Sequence, residues 1–318
     1  MLMQANSLPD TSSWDGATLL PHLGVLVAQG DEAATFLHSQ FSQDMLHQRP
    51  EQMALGAYCS PKGRMLASFV SVRPQADAFW LLMDQSVLPA TLKRLTMFVL
   101  RAKVKLSDGA GVLQAVGLLG ATARAVIGEH VPGTAWPHVE TGGMLVRLAD
   151  VCGVSRCLWV GPQERADTWA VGANALTYWR WLDVMSGVAR IEAPVSDQLV
   201  PQMVNYEVVG GVNFSKGCYP GQEVVARSQY RGTLKRRAFL VHAKQALASG
   251  QEVYAEADPG QPAGVIVNAA ENPGGGWSAL AELKLNAVDS ALHAGAVDGP
   301  VLRTEQLPYG LPAADSEG

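Results

Sequence analysis

The sequence predicts an α+β protein: a repeated strand–helix body followed by a small β-barrel. Three observations carry that prediction. A strand–glycine–helix unit occurs at residues 26–37 and again, in the same order and polarity, at 112–129. Beyond residue 232 the pattern turns to short alternating runs separated by Pro259-Gly260 and Pro273-Gly274-Gly275-Gly276, the signature of a barrel of roughly 75 residues. At 318 residues with 48% hydrophobic content, the chain exceeds one typical domain and can fill a large core.

In order along the chain, residues 1–22 read as a polar, irregular lead-in. Gly24-Val25-Leu26-Val27-Ala28 is a short buried strand ended by Gly30, and Asp31 is placed to N-cap a helix through Leu37. Runs 54–60 and 64–73 flank Pro61-Lys62-Gly63 and predict a hairpin, with a further strand at 78–83. Leu88, Leu92, Leu95 and Val99 recur at helical spacing within 86–100. The second unit places a strand at 113–120 and a helix at 121–129. Strands at 144–149 and 156–160 then precede a long helical stretch from Pro162 to Val184. Barrel strands are expected at 236–242, 251–255, 263–269 and 277–285, and the polar tail after Leu311 is expected to be disordered.

Composition excludes several classes. No apolar run approaches the ~20 residues needed to cross a bilayer. The first basic residue is Arg49, so a secretory n-region and an Arg-rich transit peptide are both missing, which predicts a cytoplasmic protein. A net charge of −5 argues against wholesale coating of nucleic acid. Two stretches are nonetheless basic. Lys93, Arg94, Arg101, Lys103 and Lys105 have no acid among them, while Lys216, Arg227, Arg231, Lys235, Arg236 and Arg237 are opposed only by Glu223. Each is either a solvated face or a surface for a carboxylate, a phosphate or RNA.

Of the four cysteines, none forms Cys-x-x-Cys and none has zinc-ligand spacing, so neither a disulfide framework nor a metal site is expected. Cys152 and Cys157 flank a turn in apolar sequence and read as buried fillers. Cys218 differs, within Ser215-Lys216-Gly217-Cys218-Tyr219-Pro220-Gly221-Gln222-Glu223. Pro220 suits the first turn of a helix, and Glu223 complements that end of its dipole. Cys218 would then sit just ahead of a helix N-terminus with Lys216 nearby, conditions that favour a thiolate. The alternative is a thiol that packs beneath the turn. Any of the seven histidines could lie beside Cys218 in the fold, and no sequence feature selects one. The glycines at 210 and 211 before Lys216 do not have P-loop spacing, and no G-x-G-x-x-G, G-x-S-x-G or H-E-x-x-H occurs.

The run from Lys216 to Arg227 resembles the K-G-C-Y-x-G-Q-E signature of the YgfZ folate-binding proteins, relatives of the glycine-cleavage T-protein and of a mitochondrial iron–sulfur assembly factor. Flanking segments are similar in order: Gln40-Phe41-Ser42-Gln43-Asp44 to Q-x-[ST]-x-D, Cys59-Ser60-Pro61-Lys62-Gly63-Arg64 to C-x-x-K-G-[KR], and Val200-Pro201-Gln202 with Gly210-Gly211-Val212-Asn213-Phe214 to I-P-Q and G-G-[IV]-x-F. Arg231-Gly232 and Lys235-Arg236 continue past the signature. The resemblance spans residues 20–310. It implies a three-lobed ring with ferredoxin-like α+β lobes at 23–110 and 111–232, the second carrying the signature, then a barrel at 233–311 and a tail at 312–318. It further implies a monomer that binds tetrahydrofolate or another reduced folate at its centre. Such a protein would assist iron–sulfur cluster assembly or repair, with iron–sulfur proteins as clients and tRNA thiolation as an indirect result. In that reading Cys218 is the reactive thiol and Lys216 stabilises its anion. Trp179, Tyr219, Gln222, Glu223, Arg227 and Arg236 are placed at the folate, with Arg237 as a further partner for its glutamate carboxylates.

The rival enzyme is the T-protein, an aminomethyltransferase. Its folate-orienting aspartate has no counterpart in the stretch 84–91 as registered. Met185 takes the slot of its pterin-contacting glutamate, and Arg190-Ile191-Glu192-Ala193 looks like the R-x-E-A-G element but lies beyond that register. Loss of both acids would remove the groups that hold folate for transfer. A direct tRNA-binding protein is the other alternative, suggested by the basic stretches.

Overall fold

The computed structural model describes residues 8–169, 171–230 and 234–312. Its first element already departs from the sequence reading. Residues taken for an irregular lead-in include a strand, β1 (Gly16–Leu19), which joins the edge of a sheet made mostly from the second half of the body. That sheet runs β1-β7-β10-β9-β8, all antiparallel, with β7 (Leu113–Leu119), β8 (Ala135–His138), β9 (Gly143–Arg147) and β10 (Arg156–Pro162). The other body sheet runs β3-β4-β5-β2-β6, from β2 (Leu23–Gln29), β3 (Ala54–Cys59), β4 (Met65–Gln75), β5 (Ala78–Asp84) and β6 (Lys105–Asp108). The third lobe is a closed barrel in the order β11-β14-β13-β12-β15-β16, from β11 (Arg236–Ala243), β12 (Glu252–Ala255), β13 (Gly264–Glu271), β14 (Trp277–Lys284), β15 (Leu292–Ala294) and β16 (Val301–Glu305). The α+β body with a C-terminal barrel is therefore as expected, and the barrel gains two short strands the sequence did not suggest.

Successive side chains along a strand point to opposite faces, and here both faces are buried. In β2 and β5, Leu26, Phe79 and Leu81 pack beneath α1 (Ala33–Gln40) and α2 (Leu88–Val99), while Val25 and Leu82 turn the other way. In β7 and β10, Leu118, Cys157 and Trp159 face α3 (Gly120–Ile127), whereas Ala115 and Leu158 point inward. On the barrel, Val241 and Ala281 fill the interior and Leu240 and Leu280 lie outside it. The inward sets of all three lobes meet in one core, joined by Trp179, Trp181 and Leu182 of α4 (Ala175–Met185). Burial on both faces explains why these strands read as nearly continuous apolar runs.

Three local expectations are corrected. Asp31 does not cap α1: Glu32 holds the N-cap position without a side-chain bond, its carboxylate instead accepting the backbone N–H of Lys103 at 2.6 Å. The expected helix from Pro162 to Val184 is broken into a 3-10 turn, Gln163–Thr168, and α4, because Asn174 takes a left-handed conformation with φ 61° between them. Cys152 is not a buried filler but an exposed residue in the β9–β10 turn with φ 49°, while Cys157 is buried as expected. The tail after residue 312 and Arg231-Gly232 lie outside the described residues. Among those described, no helix is long and apolar enough to cross a membrane.

Candidate functional site

Where the three lobes meet, a cavity of about 490 Å³ remains, within the ~300–1,000 Å³ range of small-molecule sites. Leu55 and Leu82 of the first sheet, Leu158 of the second, Asn268 of the barrel and Trp179 of α4 all reach it, so no single lobe contains it. Trp179 is 1% exposed, and its indole Nε1–H has no hydrogen-bond partner among the described residues. The Arg156 guanidinium lies 5.7 Å from the centre of the Trp179 ring. Trp181, two residues on, donates Nε1–H to Ser278 Oγ at 2.8 Å and ties α4 to the barrel.

The polar side of the cavity is one ionic network. Arg156 donates to Asp183 Oδ1 at 2.9 Å. Arg190 donates from Nε to Asp84 Oδ2 at 3.0 Å, from Nη1 to Asp183 Oδ2 at 3.3 Å and from Nη2 to Glu192 Oε1 at 3.2 Å. Asn268 locks the same turn, accepting the backbone N–H of Arg190 at 2.9 Å and donating to its carbonyl at 2.7 Å. Burial opposes the Arg190 charge, but Asp183, Glu192 and Asp84 outweigh it and move its pKa upward. The sequence comparison found no acid in the two T-protein slots, yet the fold gathers acids at this junction. Asp84, Asp183 and Glu192 converge here from three separate segments, each held by arginine.

The signature cysteine lies elsewhere. Residues 40–44, the β3–β4 hairpin, and 202–222 assemble around α5 (Gln222–Tyr230), which begins two residues later than Pro220 predicted. Ser42 donates Oγ–H to the Gly211 carbonyl at 2.7 Å and accepts the Ala57 backbone N–H at 2.8 Å; Gln43 donates to the carbonyls of Leu55 and Gly210, each at 2.8 Å. Gln202 donates to the Val225 carbonyl at 2.8 Å and so fixes α5. Gly221 has φ 82°, and its Cα side meets Gly63 of the hairpin tip so closely that a Cβ would stand 2.7 Å from the Gly63 backbone. That contact requires glycine on both counts. Cys218 emerges from this assembly exposed, unlike Cys59 and Cys157, whose thiols burial pushes up to about 12.

Lys216 is not the free cation the sequence suggested. It is buried, and its ammonium donates to the carbonyls of His38 and, at 2.6 Å, Phe41, at the C-terminal end of α1. A cation there complements the helix dipole. Burial pulls Lys216 down to about 8, with Asp44 and Cys218 opposing the shift. Its Nζ stands 5.1 Å from the centre of the buried Tyr219 ring.

Of the residues expected at the folate, only Trp179 lines the junction cavity. Tyr219, Gln222, Glu223 and Arg227 belong to the Cys218 assembly, and Glu223 and Arg227 face solvent. Arg236 is paired with Glu282, whose side chain is 1% exposed, and Arg237 with the buried Glu207, so neither is available to a folate carboxylate. With Lys216 buried and Arg236 and Arg237 paired, Arg227 and Lys235 are what the second basic stretch exposes among the described residues. The first stays on the surface at the end of α2, where Lys93, Arg101, Lys103 and Lys105 are exposed. Sequence reasoning missed Arg156 entirely, and met Asp183 and Arg190 only as mismatches to a rival motif. A second, polar pocket of about 390 Å³ shares Met53, Leu55 and Val209 with the junction cavity and has Asp44 and His47 on its wall. Among the described residues, no group of three or more His, Cys, Asp or Glu is placed to hold a metal ion.

Two α+β lobes and a closed barrel around a shared central cavity define a T-protein-like fold. The aminomethyltransferase T of the glycine cleavage system from Bartonella henselae matches over 92% of this chain and 85% of its own with a TM-score of 0.70; at 14% identity the likeness is one of fold. No family model matches the chain. The tRNA-modifying protein YgfZ of Photobacterium profundum is 31% identical over 227 residues, 69% of this chain and 67% of that protein. That of Colwellia psychrerythraea is 30% identical over 235 residues, covering 71% of each. The chain belongs to the YgfZ family.

Proposed function

We propose that this protein binds a reduced folate, such as tetrahydrofolate, in the junction cavity and assists iron–sulfur cluster assembly or repair, supporting tRNA modification through cluster-dependent thiolation. The single observation that carries the reading is the cavity itself: apolar walls from three lobes around the unpartnered Trp179 N–H and the Asp183 carboxylate. A pterin presents flat apolar faces and an edge of adjacent donors and acceptors. Trp179 and Asp183 would hold that edge, Arg156 would supply positive charge beside it, and Leu55 and Leu158 would cover the faces. When bound, the folate supplies one-carbon carrier chemistry.

Cys218 does not line that cavity. In this reading the folate therefore ties the lobes together while Cys218 works at a separate place, as an exposed thiol for sulfur or cluster chemistry. The name of the YgfZ relatives supports a link to tRNA, and the small exposed remainder of the second basic stretch favours an indirect one. The test is to express the protein in a host lacking its own relative and to measure thiolated tRNA. The wild type should restore it. Cys218→Ser should fold and bind tetrahydrofolate as the wild type does, yet restore none. Full restoration by Cys218→Ser would remove the Cys218 thiol from the chemistry.

A further inference from the structure

The loop that carries Cys218 lies against a histidine that the sequence could not select. His38 lies in the last turn of α1, and its Nδ1 is 2.9 Å from Asp44 Oδ1. The other oxygen of Asp44 is 2.8 Å from His47 Nδ1. With Nδ1–H donated to Asp44, the lone pair of His38 is left on Nε2, which makes no hydrogen bond among the described residues. That nitrogen faces the signature loop: a Cβ added to Gly217 would stand 3.5 Å from it. Cys218 is the next residue, one Cα step of about 3.8 Å further on, and is exposed. Lys216 holds the loop in this place by bonding the His38 carbonyl itself. The structure thus shows a carboxylate-oriented imidazole against the loop that carries the thiol, two parts of the arrangement by which enzymes activate a nucleophile.

We infer that Asp44, His38 and Cys218 form a thiol-activating site that takes a sulfur atom from a persulfide-bearing donor. His38 Nε2 accepts the Cys218 thiol proton, leaving thiolate and imidazolium. The thiolate attacks the outer sulfur of the donor persulfide; a new Sγ–S bond forms, the donor's S–S bond breaks, the leaving thiolate takes the proton back from Nε2, and Cys218 is left as the persulfide. No outside oxidant or reductant is needed. Asp44 is a positioning residue that fixes the tautomer. The charged and titratable groups facing His38 are Asp44, His47 and Lys216. Burial first, and then Lys216, lower the His38 pKa, with Asp44 opposing, so the ring is held as the neutral base the step requires.

The inference rests on the reading of Cys218 as a reactive thiol, and the experiment separates the two. In a Cys152→Ser background, which removes the other exposed thiol, dithio-bis(nitrobenzoate) is added and release of thionitrobenzoate is timed. Full-length protein, its His38→Gln and Asp44→Asn variants and the free peptide spanning 215–223 are compared. Near pH 7 the full-length protein should react about tenfold faster than His38→Gln, one pKa unit's worth of thiolate, and the two should converge near pH 9.5. Asp44→Asn should fall between them, and serves alone should His38→Gln not fold. Equal rates in protein and folded variants, all faster than the peptide, would overturn the triad and leave the reactive thiol standing. Equal rates in protein and peptide would overturn both.

Discussion

Replacing Arg190 with alanine is expected to cost about 3–5 kcal/mol, the loss typical of stranding a buried charge. The reason is arithmetic of partners. One guanidinium serves Asp84, Asp183 and Glu192, whose side chains are 9%, 24% and 24% exposed. Without it three carboxylates repel one another beneath the cavity, with Arg156 left to neutralise only Asp183. An exposed pair makes the contrast: Arg49 and Glu51 are 65% and 60% exposed, and breaking such a pair costs about 0–1 kcal/mol. Urea unfolding measures both, as a shift in midpoint at constant slope. Arg190→Lys should recover only part of the loss, because an ammonium cannot reproduce three directed bonds from one planar fork. A loss for Arg190→Ala no greater than for Arg49→Ala would mean that the network does not hold the lobes.

The second large effect is on acid stability, through His22. Burial, and then the charges of Arg190 and Arg180, lower its pKa to about 3. Asp183 is 4.0 Å away but is already engaged by two arginines, so it does not rescue the imidazolium. Both ring nitrogens are buried without a hydrogen-bond partner among the described residues. Between pH 6.5 and 3 the unfolded chain binds a proton at His22 that the folded chain does not, so stability falls as the pH falls through this window. From neutrality to pH 4 the contribution amounts to about 3 kcal/mol at 1.36 kcal/mol per unit. His22→Gln should flatten the wild-type dependence by that amount. Parallel curves for the two proteins would show that His22 is solvated and charged in the fold.

What the sequence made legible was local. Period 3.6 in Leu88, Leu92, Leu95 and Val99 marks α2, and Pro61-Lys62-Gly63 marks the hairpin, because both signals lie within a few residues. β1 escaped because a four-residue strand has too little alternation to register, and its partner β7 lies about a hundred residues on. The polar partners escaped for the same reason. Lys216 looks like an exposed cation until its partners, the carbonyls of His38 and Phe41, are brought in by the fold. Arg236 and Arg237 look like one basic run, yet strand alternation sends them to opposite sides, one to Glu282 and the other to Glu207. The junction cavity has no sequence signature at all, since each lobe gives it only a few apolar side chains. The signature cysteine was legible as a motif because the letters from Lys216 to Glu223 are contiguous, whereas His38, Ser42 and Gly63 reach it only through the fold.

The proposed function depends on what occupies the space between the lobes. The most direct measurement is a crystal structure of the protein grown with a stable reduced folate such as a formyl-tetrahydrofolate. The pterin ring should lie inside the junction cavity, within hydrogen-bonding distance of Asp183 or Trp179 Nε1. A folate bound only outside that cavity, or none at saturating concentration, would contradict the proposed function.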